Sequence, residues 1–360
     1  MASLPQTTHL FRRTSAPYPL TIALTTEPLS TTLAPFSLLV HIRAVSLNYR
    51  DVAMLHKGAY PSAASANEIP ASDCAAEVVA IGSAVTQFQV GDRVAPICDV
   101  ANLTGEERDA ATLGLGGNVP GVLREYAIFE EEVLVRLPKY LSWEEVNVSL
   151  FSSRDPIKRR IDNFVRWING LDVSELTKQC ARRTQCANAS MFAVLVCIAA
   201  GIRPIITSSS DAKLELVKKI SPKVEGINYK KQPDTTQEVL RLTNGRGVDF
   251  VINNTGSASI PADIAALRQK RGTISLVGFL EKMKADWDPS LLLNLMAKTA
   301  TVQGIQAGSK LDYKELNKFL EEKEVRLNSI IDRTFSFEDS PAAFDYLWSG
   351  KHVGKVVIKL

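Results

Sequence analysis

Between residues 190 and 280 the chain alternates short apolar runs with helical segments, and few folds tolerate that rhythm. An apolar helical stretch at 191–200 leads into the run 202–207. A helix-like segment follows at 211–220, then apolar runs at 248–253 and 273–277. Runs of this length, rich in Ile and Val and separated by helices, predict buried parallel strands in a doubly wound α/β sheet. Such sheets bind ligands beyond the carboxyl ends of their strands. Here those ends carry small or polar residues: Ser208, Ser209 and Ser210, then Tyr229, Asn253 through Gly256, and Gly278.

The remaining sequence implies a second domain, since 360 residues suit about two. Residues 1–145 read as short strands with many turns, marked by Gly82, Gly91 and Asp92, which predicts a small irregular β-barrel. A short helix is expected at 50–55, capped by Ser46 or Asn48. Residues 311–360 add a helix, a strand, a further helix and the closing strand GKVVIKL. A net charge of +3 gives no reason to invoke nucleic acid or an acidic membrane. No apolar run reaches the roughly 18 residues of a membrane span, and the N-terminal stretch lacks the apolar core of a secretory signal. The cysteines (Cys74, Cys98, Cys180, Cys186 and Cys197) are odd in number and form no C-x-x-C pair, which fits a reducing, cytoplasmic compartment.

Five stretches, in order, resemble the medium-chain dehydrogenase/reductase superfamily, in its alcohol-dehydrogenase-like and quinone-reductase-like branch. They are SLNYRDV with GAYP, PASDCAAEVVAIGSAVTQFQVGDRV, GVLREYAIFEEEVLVRLPKYLSWEE, the strand series above, and SFEDSPAAFDYLWSGKHVGKVVIKL. The resemblance implies a GroES-like catalytic domain at 1–145, to which 311–360 return, and a Rossmann nucleotide domain at 190–310. It implies hydride transfer to or from a small carbonyl or activated alkene. It also implies a homodimer paired through the nucleotide domains.

Zinc members of that superfamily carry a Cys and a His–Glu pair in the catalytic domain, and most carry a cluster of four Cys. In this chain the Cys position is similar to Asn48 and the pair to Ser72–Asp73, while only Cys98 lies near the cluster's place. Neither a structural nor a catalytic zinc set can be assembled, so no metal is expected. Asn48 and Tyr49 are then the candidates to polarise a substrate carbonyl, with Tyr49 and His56 as the nearby proton donors. A purely helix-capping Asn48 is the alternative, and both roles are compatible. Cys74 reads as a small core residue.

An NAD-preferring site places a carboxylate at the end of its second strand. That strand ends in Thr207, Ser208, Ser209 and Ser210, with Asp211 expected to cap the next helix and Lys213 just beyond. Hydroxyls and a cation suit a 2′-phosphate, so NADP (NADPH) is the expected cofactor. The resemblance adds Tyr229 beside that phosphate, Asn253 to Gly256 beside the ribose, and Gly278 with Phe279 at the nicotinamide carboxamide. Lys355 is read as solvated or as reaching toward the cofactor phosphates.

One window does not follow the family. The glycine-rich phosphate turn should lie roughly 20 residues before the tip at Thr207, yet no glycine occurs between Gly170 and Gly201. No β-branched run precedes it, so the first Rossmann strand and glycine turn read as disrupted; the altered-frame reading below further expects a central strand of the sheet to be missing. Residues 146–189 instead read as an atypical helical insert or replaced segment. Its stretch 151–189 carries eight Lys and Arg against four Asp and Glu. Three readings account for it. Arg182, Arg183 and the backbone near Asn188–Ser190 hold the pyrophosphate in a divergent way; the chain is an inactive member kept for binding; or the window is the product of an altered reading frame or splice choice.

Overall fold

The computed structural model describes residues 5–30, 32–61, 65–146, 179–182, 188–279 and 285–360. Two compact units emerge, Met1–Ser153 with Ala307–Leu360, and Arg154–Gln306.

In the first unit, β1 (Thr7–Arg13) and β2 (Ile22–Pro28) form an antiparallel ribbon. The main sheet is built on β3 (Ser37–Leu47), whose Leu38, Leu39, Val40, Ile42, Val45 and Leu47 are all buried. β-Branched and aliphatic side chains on both faces suit a strand with no solvent side. β4 (Asp73–Ile81) pairs along one edge of β3 and passes the sheet on to β5 (Arg93–Pro96). β6 (Tyr126–Glu130) takes the first half of the other edge, and β7 (Leu134–Arg136) pairs with β5.

The second unit is a six-stranded parallel sheet. Its strands are β8 (Gln179–Arg182), β9 (Arg203–Ser208), β10 (Glu225–Asn228), β11 (Phe250–Asn253), β12 (Thr273–Leu276) and β13 (Thr301–Gly304). The order β10-β9-β8-β11-β12-β13 is the 3-2-1-4-5-6 order of a dinucleotide-binding sheet, with its switch point between β8 and β11. Ile205, Ile227, Val251 and Ile274 of the strands form one core with Val239, Ile260 and Ile264 of the helices Thr235–Leu242 and Ile260–Ala266. The centre of the sheet, where the altered-frame reading expects a strand to be missing, is occupied by β8. Cys180 and Ala181 pair in parallel with Pro204 and Ile205 on one side and with Phe250 and Val251 on the other. Two flanking strands hold this short segment in register, a tertiary influence that outweighs its weak local propensity. The glycine-turn position at 183–187, and the helix expected within 155–170, lie outside the described residues.

The chain then returns to the first sheet. β14 (Ile331–Ser336) lies parallel to β15 (Lys355–Lys359), and β15 pairs antiparallel with Ala44–Leu47, the second half of the β3 edge. β3 is thus long enough to carry β6 and β15 in tandem, and the sheet branches. Among the described residues its ends, β14 and β7, are not joined, so the sheet is open where a closed barrel was expected. The return is fastened by Glu145, a buried carboxylate that accepts bonds from the backbone N–H groups of Ser142, Leu327 and Asn328 and from the Arg326 guanidinium. Burial alone would raise its pKa; those donors outweigh burial and hold it below the usual carboxylate value.

Candidate functional site

At the carboxyl edge of the second unit, β9 and β10 end side by side. The N–H of Tyr229 donates to the carbonyl of Ser208 at 3.1 Å, so these two expected cofactor residues are neighbours. Ser208 is buried, while Ser209, Ser210 and Lys213 are partly exposed. The helix Asp211–Lys218 is capped by Ser210, whose hydroxyl accepts from the N–H of Lys213, and not by Asp211 as the sequence suggested. Asp211 instead occupies the first helical position. Its carboxylate accepts from Asn228 Nδ2 at 2.6 Å and pairs with Lys231 Nζ at 2.5 Å. The Asn228 bond first, and Lys231 second, hold it below the usual carboxylate pKa. The Asp211 carboxylate is therefore turned to β10 and paired there. Asn228 and Lys231 were not singled out in the sequence, although Asn228 directly precedes Tyr229.

The next two strand ends form a tight pair of loops. Asn253 is fully buried; its Oδ1 accepts from the N–H of Gly256 at 2.7 Å, and its Nδ2 lies 2.7 Å from Asp263 Oδ2 and 2.9 Å from Ser259 Oγ. Gly256 has φ +107°, a conformation that disfavours any side chain, and an added Cβ would stand 3.2 Å from Phe279 Cα. At Gly278 an added Cβ would meet the carbonyl oxygen of Asn254 at 3.0 Å. Asn253, Gly256, Gly278 and Phe279 are thus brought together, with Asn253 as the internal strut and the glycines permitting close approach of the two backbones.

In the first unit, Asn48 is the N-cap residue of the helix Tyr49–Ala53 and its N–H donates to Asp51. Its side chain points inward. Nδ2 donates to Asp73 Oδ2 at 2.9 Å, and Oδ1 accepts from Lys355 Nζ at 2.7 Å. Lys355 is therefore neither solvated nor directed at a phosphate, because it starts β15 beside β3 and is only 1% exposed. Cys74 is buried in the core, where burial pushes its thiol pKa up. The residues of this pocket do not suit zinc: the carboxylate of Asp73 already faces an ammonium, and its neighbours Ser46, Asn48 and Ser72 are weak, neutral ligands. Among the described residues, no three His, Cys, Asp or Glu side chains are grouped to hold a metal ion.

Tyr49 differs from its neighbour in being 40% exposed. Its ring lies nearly parallel to that of Trp348, which in turn stacks on His56 at 3.7 Å between centroids. Trp348 ends the helix Ser340–Trp348 and completes an accessible aromatic row that no local sequence pattern announced. Among the described residues, no helix is long and apolar enough to cross a membrane.

A dinucleotide-type sheet and a branched β unit in one chain are the architecture of a two-unit dehydrogenase or reductase. Residues 34–139 match the alcohol dehydrogenase GroES-like domain, and residues 190–322 match the zinc-binding dehydrogenase domain. The chain is 32% identical over 342 residues to the zinc-type alcohol dehydrogenase-like protein C1773.06c of Schizosaccharomyces pombe, covering 91% of this chain and 92% of that one. A solved structure from Sinorhizobium meliloti 1021, described as an alcohol dehydrogenase, superposes with a TM-score of 0.85 at 27% identity, covering 99% of this chain and all of that one. A quinone oxidoreductase of Pseudomonas syringae pv. Tomato DC3000 shares the fold with a TM-score of 0.72 at 19% identity, over 98% of this chain and 100% of that one. The chain belongs to the medium-chain dehydrogenase/reductase superfamily and is an oxidoreductase of that family.

Proposed function

We propose that the chain is an NADP-dependent, zinc-independent oxidoreductase passing hydride between a nicotinamide and a small carbonyl or activated alkene. The observation that carries the cofactor preference is the end of β9: Ser209, Ser210 and Lys213 are partly exposed there, while Asp211 is bound to Asn228 and Lys231. Ser209, Ser210 and Lys213 would hold a 2′-phosphate, with Tyr229 beside it. The loops at Asn253–Gly256 and Gly278–Phe279 would border the ribose and the carboxamide. The bound cofactor supplies the hydride chemistry. Tyr49 is the accessible donor to a substrate oxygen, and Asn48, sealed behind it, positions the helix that bears it.

The domain division follows from the same reading: catalytic residues 1–145 with 311–360, and nucleotide-binding residues 190–310, which share their sheet with β8 of the intervening segment 146–189. A homodimer is supported by β13, an edge strand exposed along its length, and by the nearby exposed Leu293 and Met296. The buried thiols of Cys74, Cys98 and Cys197 suit a reducing, cytoplasmic location.

A second reading rests on the absence of glycine between Gly170 and Gly201. In it the chain is an inactive member, or an altered-splice product with impaired cofactor binding, that acts as a binding protein if at all. Calorimetric titration of the purified chain with NADPH and NADH decides between them. Micromolar NADPH binding, tighter than NADH, is expected; a folded chain that binds neither nucleotide overturns the enzyme reading.

A further inference from the structure

Lys355 and Asp73 are an ammonium and a carboxylate with side-chain exposures of 1% and 0%. Buried charges persist only when paired and hydrogen-bonded. Here they stand 3.9 Å apart, and Asn48 bridges the gap. The ammonium donates to Asn48 Oδ1 at 2.7 Å and to Ser46 Oγ at 3.2 Å. The carboxylate accepts from Asn48 Nδ2 and from Ser72 Oγ, each at 2.9 Å. The amide has one workable orientation: reversing it would set NH2 against an ammonium and a carbonyl oxygen against a carboxylate. Since Asn48 also begins the helix that carries Tyr49, the charge pair fixes the start of that helix.

We infer that Lys355 is a built-in cation of this pocket: it takes the place a divalent metal would need beside Asp73, locks the Asn48 amide, and so acts as a positioning residue for Tyr49. This rests on the zinc-independent oxidoreductase reading for its catalytic consequence, but not for its charge pairing or its exclusion of metal.

Three measurements on the full-length protein test it. Zinc is offered in competition with a chelating dye to the parent and to Asp73→Asn; equal uptake by the two is expected, and one extra equivalent in the parent overturns the inference. Thermal melting should fall by roughly 10 °C for Lys355→Met, which strands Asp73, and at least half should return in Lys355→Met/Asp73→Asn, which removes both charges. A Lys355→Met protein that melts with the parent overturns it. NADPH-dependent reduction of 9,10-phenanthrenequinone then separates positioning from mere support. The restabilised double variant should lose about tenfold in kcat with KM for NADPH unchanged, and full kcat there overturns the positioning role. A parent protein that reduces no quinone counts against the oxidoreductase reading, while the zinc and melting results still decide the place of Lys355.

Discussion

Each unit contains a sealed asparagine beside a strand end, and the two are secured differently. Asn48 sits between opposite charges, Asp73 and Lys355, which would still face each other without it. Asn253 is the hub of a loop, at once the acceptor for the Gly256 N–H and a donor to Asp263 and Ser259. Removing the first leaves a charge pair with a bridge missing. Removing the second takes a donor from a buried carboxylate and an acceptor from a buried N–H in one step. What an asparagine is worth therefore depends on what remains when it goes, more than on its number of bonds.

That contrast orders the expected effects. Asn253→Ala should cost about 3 kcal/mol in urea unfolding of the nucleotide unit, since it leaves the buried Gly256 N–H without its Asn253 acceptor and takes one donor from the buried Asp263 carboxylate, which keeps Ser259; a loss below about 1 kcal/mol breaks the comparison. Asn48→Ala should cost about 2 kcal/mol, the surviving ion pair and the hydroxyls of Ser46 and Ser72 limiting the damage. Glu145 extends the series to a buried carboxylate held by backbone N–H groups and a half-exposed arginine. Its folded pKa is depressed, so its contribution is complete above the unfolded value of about 4.3 and is lost as pH falls through the lower folded value. Glu145→Gln should lower stability by about 1.5 kcal/mol at neutral pH, with the curves of variant and parent converging in acid. An unchanged gap in acid would mean that packing, not charge, is at work there.

The smallest stability effect belongs to the exposed pair Asp211–Lys231, whose side chains are 51% and 71% accessible. Lys231→Ala should change stability by less than about 0.5 kcal/mol. It should nevertheless shift coenzyme preference toward NADH by releasing one of the two groups that occupy the Asp211 carboxylate. Nucleotide titration reads this directly, and an unaltered NADPH-to-NADH ratio would remove Asp211 from the specificity argument.

The parts legible in the sequence were those whose side chains satisfy their own neighbourhood. β9, β11 and β12 show as apolar runs because both faces are covered, Gly256 shows as glycine because its φ of +107° disfavours a side chain, and Gly278 because an added Cβ would press on the Asn254 carbonyl. β8 was invisible: Gln179, Cys180, Ala181 and Arg182 have no strand signature, and the paired edges of β9 and β11 define them. Lys355 misled for a related reason. A lysine next to Gly354 in a closing strand looks solvated until the position of Asp73, brought beside it by β3 and β4, is known. Ser and Asp both cap well, so the sequence does not separate Ser210 from Asp211; Asn228 at the end of β10 and Lys231 in the turn beyond it hold Asp211 and leave the cap to Ser210.

The bond from Lys355 to Asn48 joins residues 307 positions apart, and everything in the nucleotide sheet is encoded between them. During synthesis, Asp73 and Asn48 emerge long before their counterion exists, and β3 waits with half of one edge unpaired. A ribosome must translate the entire second unit before the first can be closed. Chaperone demand, and sensitivity to premature termination, should therefore fall on the amino-terminal half of the chain, although the missing piece lies at residue 355.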